Sequence, residues 1–132
     1  INYDRRNIEI EIKRIESKIK AGAEFFLTQP VFDDKDIDTL KYIRSRVDTK
    51  ILVGIMPLVS IRNANFIKNE ITGISIPDDI INRFNSDMTK TESEAVGIEI
   101  AREVMEKVED FADGFYFMIP FNRLSIAKAL IK

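Results

Sequence analysis

Apolar residues along this chain follow two alternating rhythms. Ile8, Ile12, Ile15 and Ile19 recur at steps of four, three and four, the spacing of one stripe on an α-helix with Glu and Lys opposite. Asp4 is suited to cap that helix and Gly22 to end it. The rhythm then changes. Glu24-Phe25-Phe26-Leu27-Thr28-Gln29 is a short apolar run stopped by Pro30, the continuous hydrophobicity expected of a strand buried on both faces. A second helix begins near Asp33 or Asp34, whose carboxylates favour a helix amino terminus, and turns Ile37, Leu40, Ile43 and Val47 inward. Ile51-Leu52-Val53-Gly54-Ile55-Met56 is another apolar run, closed by Pro57, and Ser60 caps a helix that runs through Ile67 and stops near Gly73.

From Gly73 to Lys90 the pattern is less regular and reads as an insertion, with Pro77-Asp78-Asp79 opening a short helix that offers Ile80, Ile81 and Phe84 for packing. Thr91 and Glu94 make a capping-box pattern ahead of a long helix with Val96, Ile100, Ala101, Val104, Met105 and Val108 on its inner stripe. Asp113-Gly114 then turns into Phe115-Tyr116-Phe117-Met118-Ile119, ended by Pro120, and Leu124, Ala127, Leu130 and Ile131 mark a last helix. The pattern therefore predicts strands at about 24–29, 51–56 and 114–119, each followed by helix. Such alternation predicts a parallel sheet, in an open doubly wound fold or a barrel. Polar residues follow the carboxyl end of each run, where a (β/α)8 barrel builds its active site, and this favours the barrel. A barrel needs eight strands and about 250 residues, so 132 residues with three strand–helix units are expected to be a partial (β/α)8 TIM barrel.

Composition narrows the chemistry. At 45% hydrophobic and 32% charged residues with a formal charge of -2, the chain has the profile of a globular domain and no basic footprint for nucleic acid. It contains no apolar run of bilayer length, and its start, Ile1-Asn2-Tyr3-Asp4-Arg5-Arg6, does not resemble a signal peptide, so a cytoplasmic protein without membrane partners is expected. The absence of Cys and His removes disulfides, thiolate metal sites and the commonest general base. The five glycines are isolated, so no dinucleotide fingerprint is present.

A few polar residues remain as candidates. Gln29 ends a buried strand, and its amide can donate and accept toward a planar heterocycle, or it can simply bond loop backbone. Asn122-Arg123, past the third strand, sets an amide and a guanidinium on the same rim; Arg123 can hold a carboxylate bidentately, or the pair can be a helix start with a solvated cation. Lys18 lies off the Ile stripe, where it can meet a phosphate or complement the helix dipole. Asp33 and Asp34, adjacent at a helix start, point in different directions and are better read as caps than as an acid pair.

The block from Ala21 to Asp33, with its Thr28-Gln29-Pro30-Val31-Phe32-Asp33 ending, resembles a strand segment of methylenetetrahydrofolate reductases. The resemblance continues in Gly54-Ile55-Met56-Pro57-Leu58-Val59-Ser60 with Asn63-Ala64 behind it, and in Phe121-Asn122-Arg123, in family order. It covers nearly the whole chain and implies the carboxyl-terminal part, residues 1–132, of a flavoprotein barrel. In that family FAD carries a hydride from NADH or NADPH to 5,10-methylenetetrahydrofolate, giving 5-methyltetrahydrofolate for methionine synthesis. The resemblance implies that Gln29 meets the folate pterin, that Asn63 takes a neighbouring folate contact, that Ile67 is the bulky apolar group against the substrates and that Arg123 holds the aminobenzoyl-glutamate end. It sets Lys18 at the FAD phosphates and Arg14 and Glu11 at cofactor-side positions. Asn63 stands where some members carry the longer Gln. The Pro-Val-Phe-Asp and Pro-Leu-Val-Ser variants resemble a bacterial branch with an amino-terminal homocysteine methyltransferase domain, a partner absent from this chain.

In the family, the acid that protonates the substrate and the Asp beside the flavin lie on earlier strands. The chain by itself is therefore expected to be inactive, to bind FAD weakly or not at all, and to self-associate through strand faces that the remainder of the parent barrel would cover. Two other readings compete with this one. One is a non-catalytic α/β binding or interaction module, and the other is a barrel enzyme for a phosphorylated substrate, which would carry a Gly-rich loop before the last helix.

Overall fold

The computed structural model describes Ile1 and residues 7–131; the Asp4 cap expected above lies outside them. Three strands, β1 (Phe25–Pro30), β2 (Lys50–Ile55) and β3 (Gly114–Phe117), form one sheet in the order β1-β2-β3, with both pairings parallel. The predicted spans hold to within about two residues, the usual uncertainty of element ends. Helices α1 (Ile8–Lys20) and α2 (Asp34–Arg46) flank β1 along the chain, α3 (Ile61–Glu70), the short α4 (Asp78–Ile81) and α5 (Lys90–Val108) separate β2 from β3, and α6 (Leu124–Ile131) follows β3. Each parallel pair is thus joined through helix, as parallel pairing requires.

Local chemistry sets the helix ends. Gly22, at φ +109, closes α1 in a Schellman arrangement, with the Ala23 N–H bonding the Lys18 carbonyl and the Gly22 N–H that of Ile19. Asp33 accepts from the Lys35 N–H at 2.9 Å and Ser60 from the Asn63 N–H at 3.0 Å, so both expected caps form. The α5 cap differs from expectation. Two Thr-x-x-Glu patterns overlap here, and the structure uses the earlier one: Thr89 accepts from the Glu92 N–H and donates to the Glu92 carboxylate, both at 3.1 Å. Glu94 is thereby released for another contact.

All the long helices that meet the sheet lie on one side. Phe26, Ile51, Val53 and Ile55 pack there with Ile12 and Ile15 of α1, Ile37, Leu40 and Ile43 of α2, Ala101, Val104 and Val108 of α5, and Ile126 and Leu130 of α6. A second cluster gathers Phe32, Leu58, Ala64, Ile67, Ile76, Ile81, Phe84 and Ile100 beneath α3 and α4. Two expectations are corrected. On α6 the inward residues are Ile126 and Leu130, whereas Leu124 and Ile131 are exposed. β1 is covered on one face rather than two: its buried and exposed positions alternate, leaving Phe25 at 55% and Leu27 at 46% exposure, whereas consecutive positions of β2 are buried and β3 is half-buried throughout. The apolar pattern of β1 exceeds the cover that the described residues provide, as in a barrel wall whose inner layer is shared with other strands.

The junction of β1 and β2 is held by a side-chain contact. Thr28 Oγ1 accepts from the Gly54 N–H at 3.0 Å and donates to the Gln29 carbonyl at 2.8 Å, which pins the irregular register between Leu27 and Pro30. At the other end of the sheet Asp113 accepts from the Ile51 N–H at 2.8 Å and pairs with Arg44 at 3.5 Å, tying β3 to β2 as it enters.

Candidate functional site at the carboxyl ends of the strands

Because the three strands run parallel, the segments after Pro30, Ile55 and Phe117 emerge at one end of the sheet. Gln29 stands at the first of these exits, Asn63 on α3 after the second and Arg123 after the third. Asn63 and Arg123 line one cleft of about 640 Å³ together with Ser60, Arg62, Phe66 and Phe121. Gln29 lines a separate open hollow of about 360 Å³ with Leu27, Thr28, Tyr116 and Met118.

Arg123 is held from two directions. Its guanidinium donates to Glu94 at 2.8 Å, in a pair whose side chains are only 25% and 20% exposed, and lies 5.3 Å from the Phe121 ring centroid. One Nη–H bonded to Glu94 leaves the remainder of the donor fork for a ligand carboxylate. The backbone here is unusual. Phe121 and Asn122 both sit at φ 54, a left-handed pair that throws Phe121 outward to 73% exposure. Asn63 is partly occupied, since its Oδ1 accepts from the Val59 N–H at 3.2 Å while its own N–H donates to Ser60. Its amide nitrogen remains as a donor.

Ile67 does not reach the cleft. It is 4% exposed in the second apolar cluster, one turn behind Asn63, and the bulky apolar side chain that α3 presents to the cleft is Phe66. Gln29 is exposed, its amide carbonyl lies against the backbone of Gly73, and it makes no side-chain hydrogen bond among the described residues. Beside it, the Tyr116 hydroxyl donates to the Thr28 carbonyl. Burial pushes the Tyr116 phenol above its ordinary pKa.

Glu11, Arg14 and Lys18 form a separate stripe on α1, spaced by three and four residues. Glu11 pairs with Arg14 at 3.6 Å. Lys18 is exposed and has no carboxylate partner among the described residues. Among those residues no acid cluster suited to a metal occurs and no helix is long and apolar enough to cross a membrane.

Sequence reasoning missed Tyr116, Glu94 and Phe66. The signal for Tyr116 was Gly54, a glycine inside an apolar strand, which marks a close approach. Glu94 was masked by the overlapping capping patterns. Phe66 had no signal separating it from Ile67, because adjacent positions on a helix differ by about 100° and both residues are bulky.

Comparison with known proteins bears on this arrangement. A family model describing methylenetetrahydrofolate reductases matches residues 2–131. Among solved structures, a similar chain is an uncharacterized protein from Clostridium thermocellum that binds two copies of 5-methyl-5,6,7,8-tetrahydrofolic acid. It is 23% identical with a TM-score of 0.59, and the match covers 92% of this chain and 46% of that one. At that identity the likeness speaks for the fold, and this chain spans about half of its counterpart. No curated protein sequence matches.

Proposed function

Because the chain belongs to the methylenetetrahydrofolate reductase family, we propose that it is the carboxyl-terminal part of a (β/α)8 barrel that reduces 5,10-methylenetetrahydrofolate to 5-methyltetrahydrofolate. The observation that carries this reading is the common end of the sheet from which Gln29, Asn63 and Arg123 emerge, with Asn63 and Arg123 in one cleft. The folate-binding protein that shares the fold supports a folate ligand. In this reading the Gln29 amide, without a side-chain hydrogen bond among the described residues, pairs with the edge of the pterin. The open side of the Arg123 fork takes a glutamate carboxylate, and the Asn63 amide N–H bonds between them. Phe66 supplies the apolar wall, with Ile67 supporting α3 from behind.

A dinucleotide such as FAD needs cations for its diphosphate, and Lys18, exposed and without a carboxylate partner among the described residues, fits one such contact. Arg14, already paired with Glu11, would hold the neighbouring position. FAD, when bound, supplies the two-electron chemistry, taking a hydride from NADH or NADPH and delivering it to the folate. The residues of this chain bind and orient; the proton donor belongs to strands outside it, so the chain alone does not oxidise a nicotinamide. A non-catalytic module is the competing reading.

Calorimetric titration of 5-methyltetrahydrofolate into the 132-residue chain tests the proposal. Saturable binding is expected, and Arg123→Ala should weaken it about ten- to a hundredfold, the worth of a hydrogen bond to a charged group. Equal binding by both proteins, or none by either, would remove the basis of the folate assignment. Stoichiometric FAD binding with nicotinamide oxidation by this chain would overturn its reading as part of a barrel.

A further inference from the structure

The Tyr116 hydroxyl reaches across an entire strand. β3 and β1 are not neighbours, yet the phenol lies over Gly54 of β2 and bonds the Thr28 carbonyl of β1. The crossing needs a glycine beneath it, since a Cβ at Gly54 would lie 2.8 Å from the phenol oxygen, 2.9 Å from Cζ and 3.1 Å from the Thr28 carbonyl oxygen. Thr28 is 2% exposed and its side chain is spent on the same segment, accepting from Gly54 and donating to the Gln29 carbonyl. Both main-chain carbonyls on either side of the Thr28–Gln29 junction are therefore tied, one from β3 and one by Thr28 itself. Gln29, the next side chain, is exposed; its amide rests against the backbone of Gly73 and makes no hydrogen bond among the described residues.

We propose that Tyr116 is a positioning residue for Gln29, fixing the bulged end of β1 so that the Gln29 amide is aimed into the hollow that the two residues share. The pterin role of Gln29 rests on the function proposed above; the positioning does not. A bulge re-aims the side chain that follows it, and an amide that must meet a planar ligand edge-on tolerates little drift, because hydrogen bonds weaken steeply as their angle departs from linear. With the phenol removed, the Thr28 carbonyl loses its tie to β3, and Thr28 Oγ1 remains as the side-chain tie between this segment and Gly54.

Two measurements on the 132-residue chain decide this. In ¹⁵N spectra, Tyr116→Phe should shift or broaden the Gln29 backbone and side-chain amide signals, and Thr28→Val, which removes the other tie, should do the same. Titration with 5-methyltetrahydrofolate should show roughly five- to tenfold weaker binding for Tyr116→Phe, the worth of one neutral hydrogen bond. In a Gln29→Ala background the same substitution should have no further effect, since a residue acting only through Gln29 is silent without it. Unchanged Gln29 signals in both variants, or an equal loss of binding with and without Gln29, would overturn the proposal. If the wild-type chain fails to bind the folate, the functional reading fails and the amide spectra alone decide the positioning role.

Discussion

Gly97, in the middle of α5, offers a test in which two physical effects oppose each other. A glycine inside a helix costs about 1 kcal/mol relative to alanine, so Gly97→Ala would stabilise the chain if the site had room. It has none. A Cβ at Gly97 would lie 1.6 Å from the Leu58 carbonyl oxygen and 2.8 Å from its carbonyl carbon. Restoring an ordinary carbon–oxygen separation of about 3.3 Å requires a retreat of about 1.7 Å by α5 or by the Leu58 backbone. Neither can yield cheaply. Leu58 is 1% exposed in the second apolar cluster, and α5 buries Ile100, Ala101, Val104 and Val108 on either core. Overpacking of this kind costs about 1–3 kcal/mol, more where backbone must move, so it offsets the propensity gain and the net sign is destabilising. Urea unfolding followed by circular dichroism should give a lower midpoint for Gly97→Ala at an unchanged slope. Ala95→Gly at an exposed position of the same helix calibrates the propensity term. A Gly97→Ala variant as stable as wild type, or more so, would refute the reasoning.

Alkaline titration follows from the half-buried phenol of Tyr116. Its folded pKa is raised by burial, so above about pH 10 the unfolded chain ionises first and releases protons that the folded chain retains. Stability should fall as pH rises past that value, and Tyr116→Phe should lessen that fall and remove a late-ionising component from the absorbance titration at 295 nm. At the start of α2, Asp33→Ala removes the acceptor for the Lys35 N–H and should lower unfolding stability by about 1 kcal/mol, with an unaltered midpoint counting against the cap.

The strands and helices were legible because each carried a pattern that only one environment satisfies. Ile37, Leu40 and Ile43 recur at helical spacing, and Asp33 and Ser60 stand one residue ahead of their helices. The α5 cap was misread for a physical reason: Thr89 and Thr91 each have Glu three residues on, and local sequence cannot say which pair the surrounding packing selects. Both-faced burial of β1 was overpredicted because apolar pattern reports what a strand requires, not what the described residues supply. At the candidate site, strand-end position was enough to set Gln29 and Arg123 at one end of the sheet, while their separation into two hollows had no local signal. Ile67 and Phe66 are adjacent bulky positions, and only packing shows that Phe66 lines the cleft; the Tyr116 contact has no local signal because its partner is 88 residues away, set by sheet order and not by any neighbour in sequence.

The one-sided cover of β1 also has a calorimetric consequence. Phe25 and Leu27 remain hydrated while Phe26, Ile51 and Val53 are dry, so the hydration change of those inner side chains is missing from the unfolding of this chain. Its heat-capacity increment and denaturant slope therefore fall below those of a fully closed domain of equal length. Whatever closes the inner face takes over that hydration change, so it enters the heat capacity of association, with the negative sign that marks apolar burial.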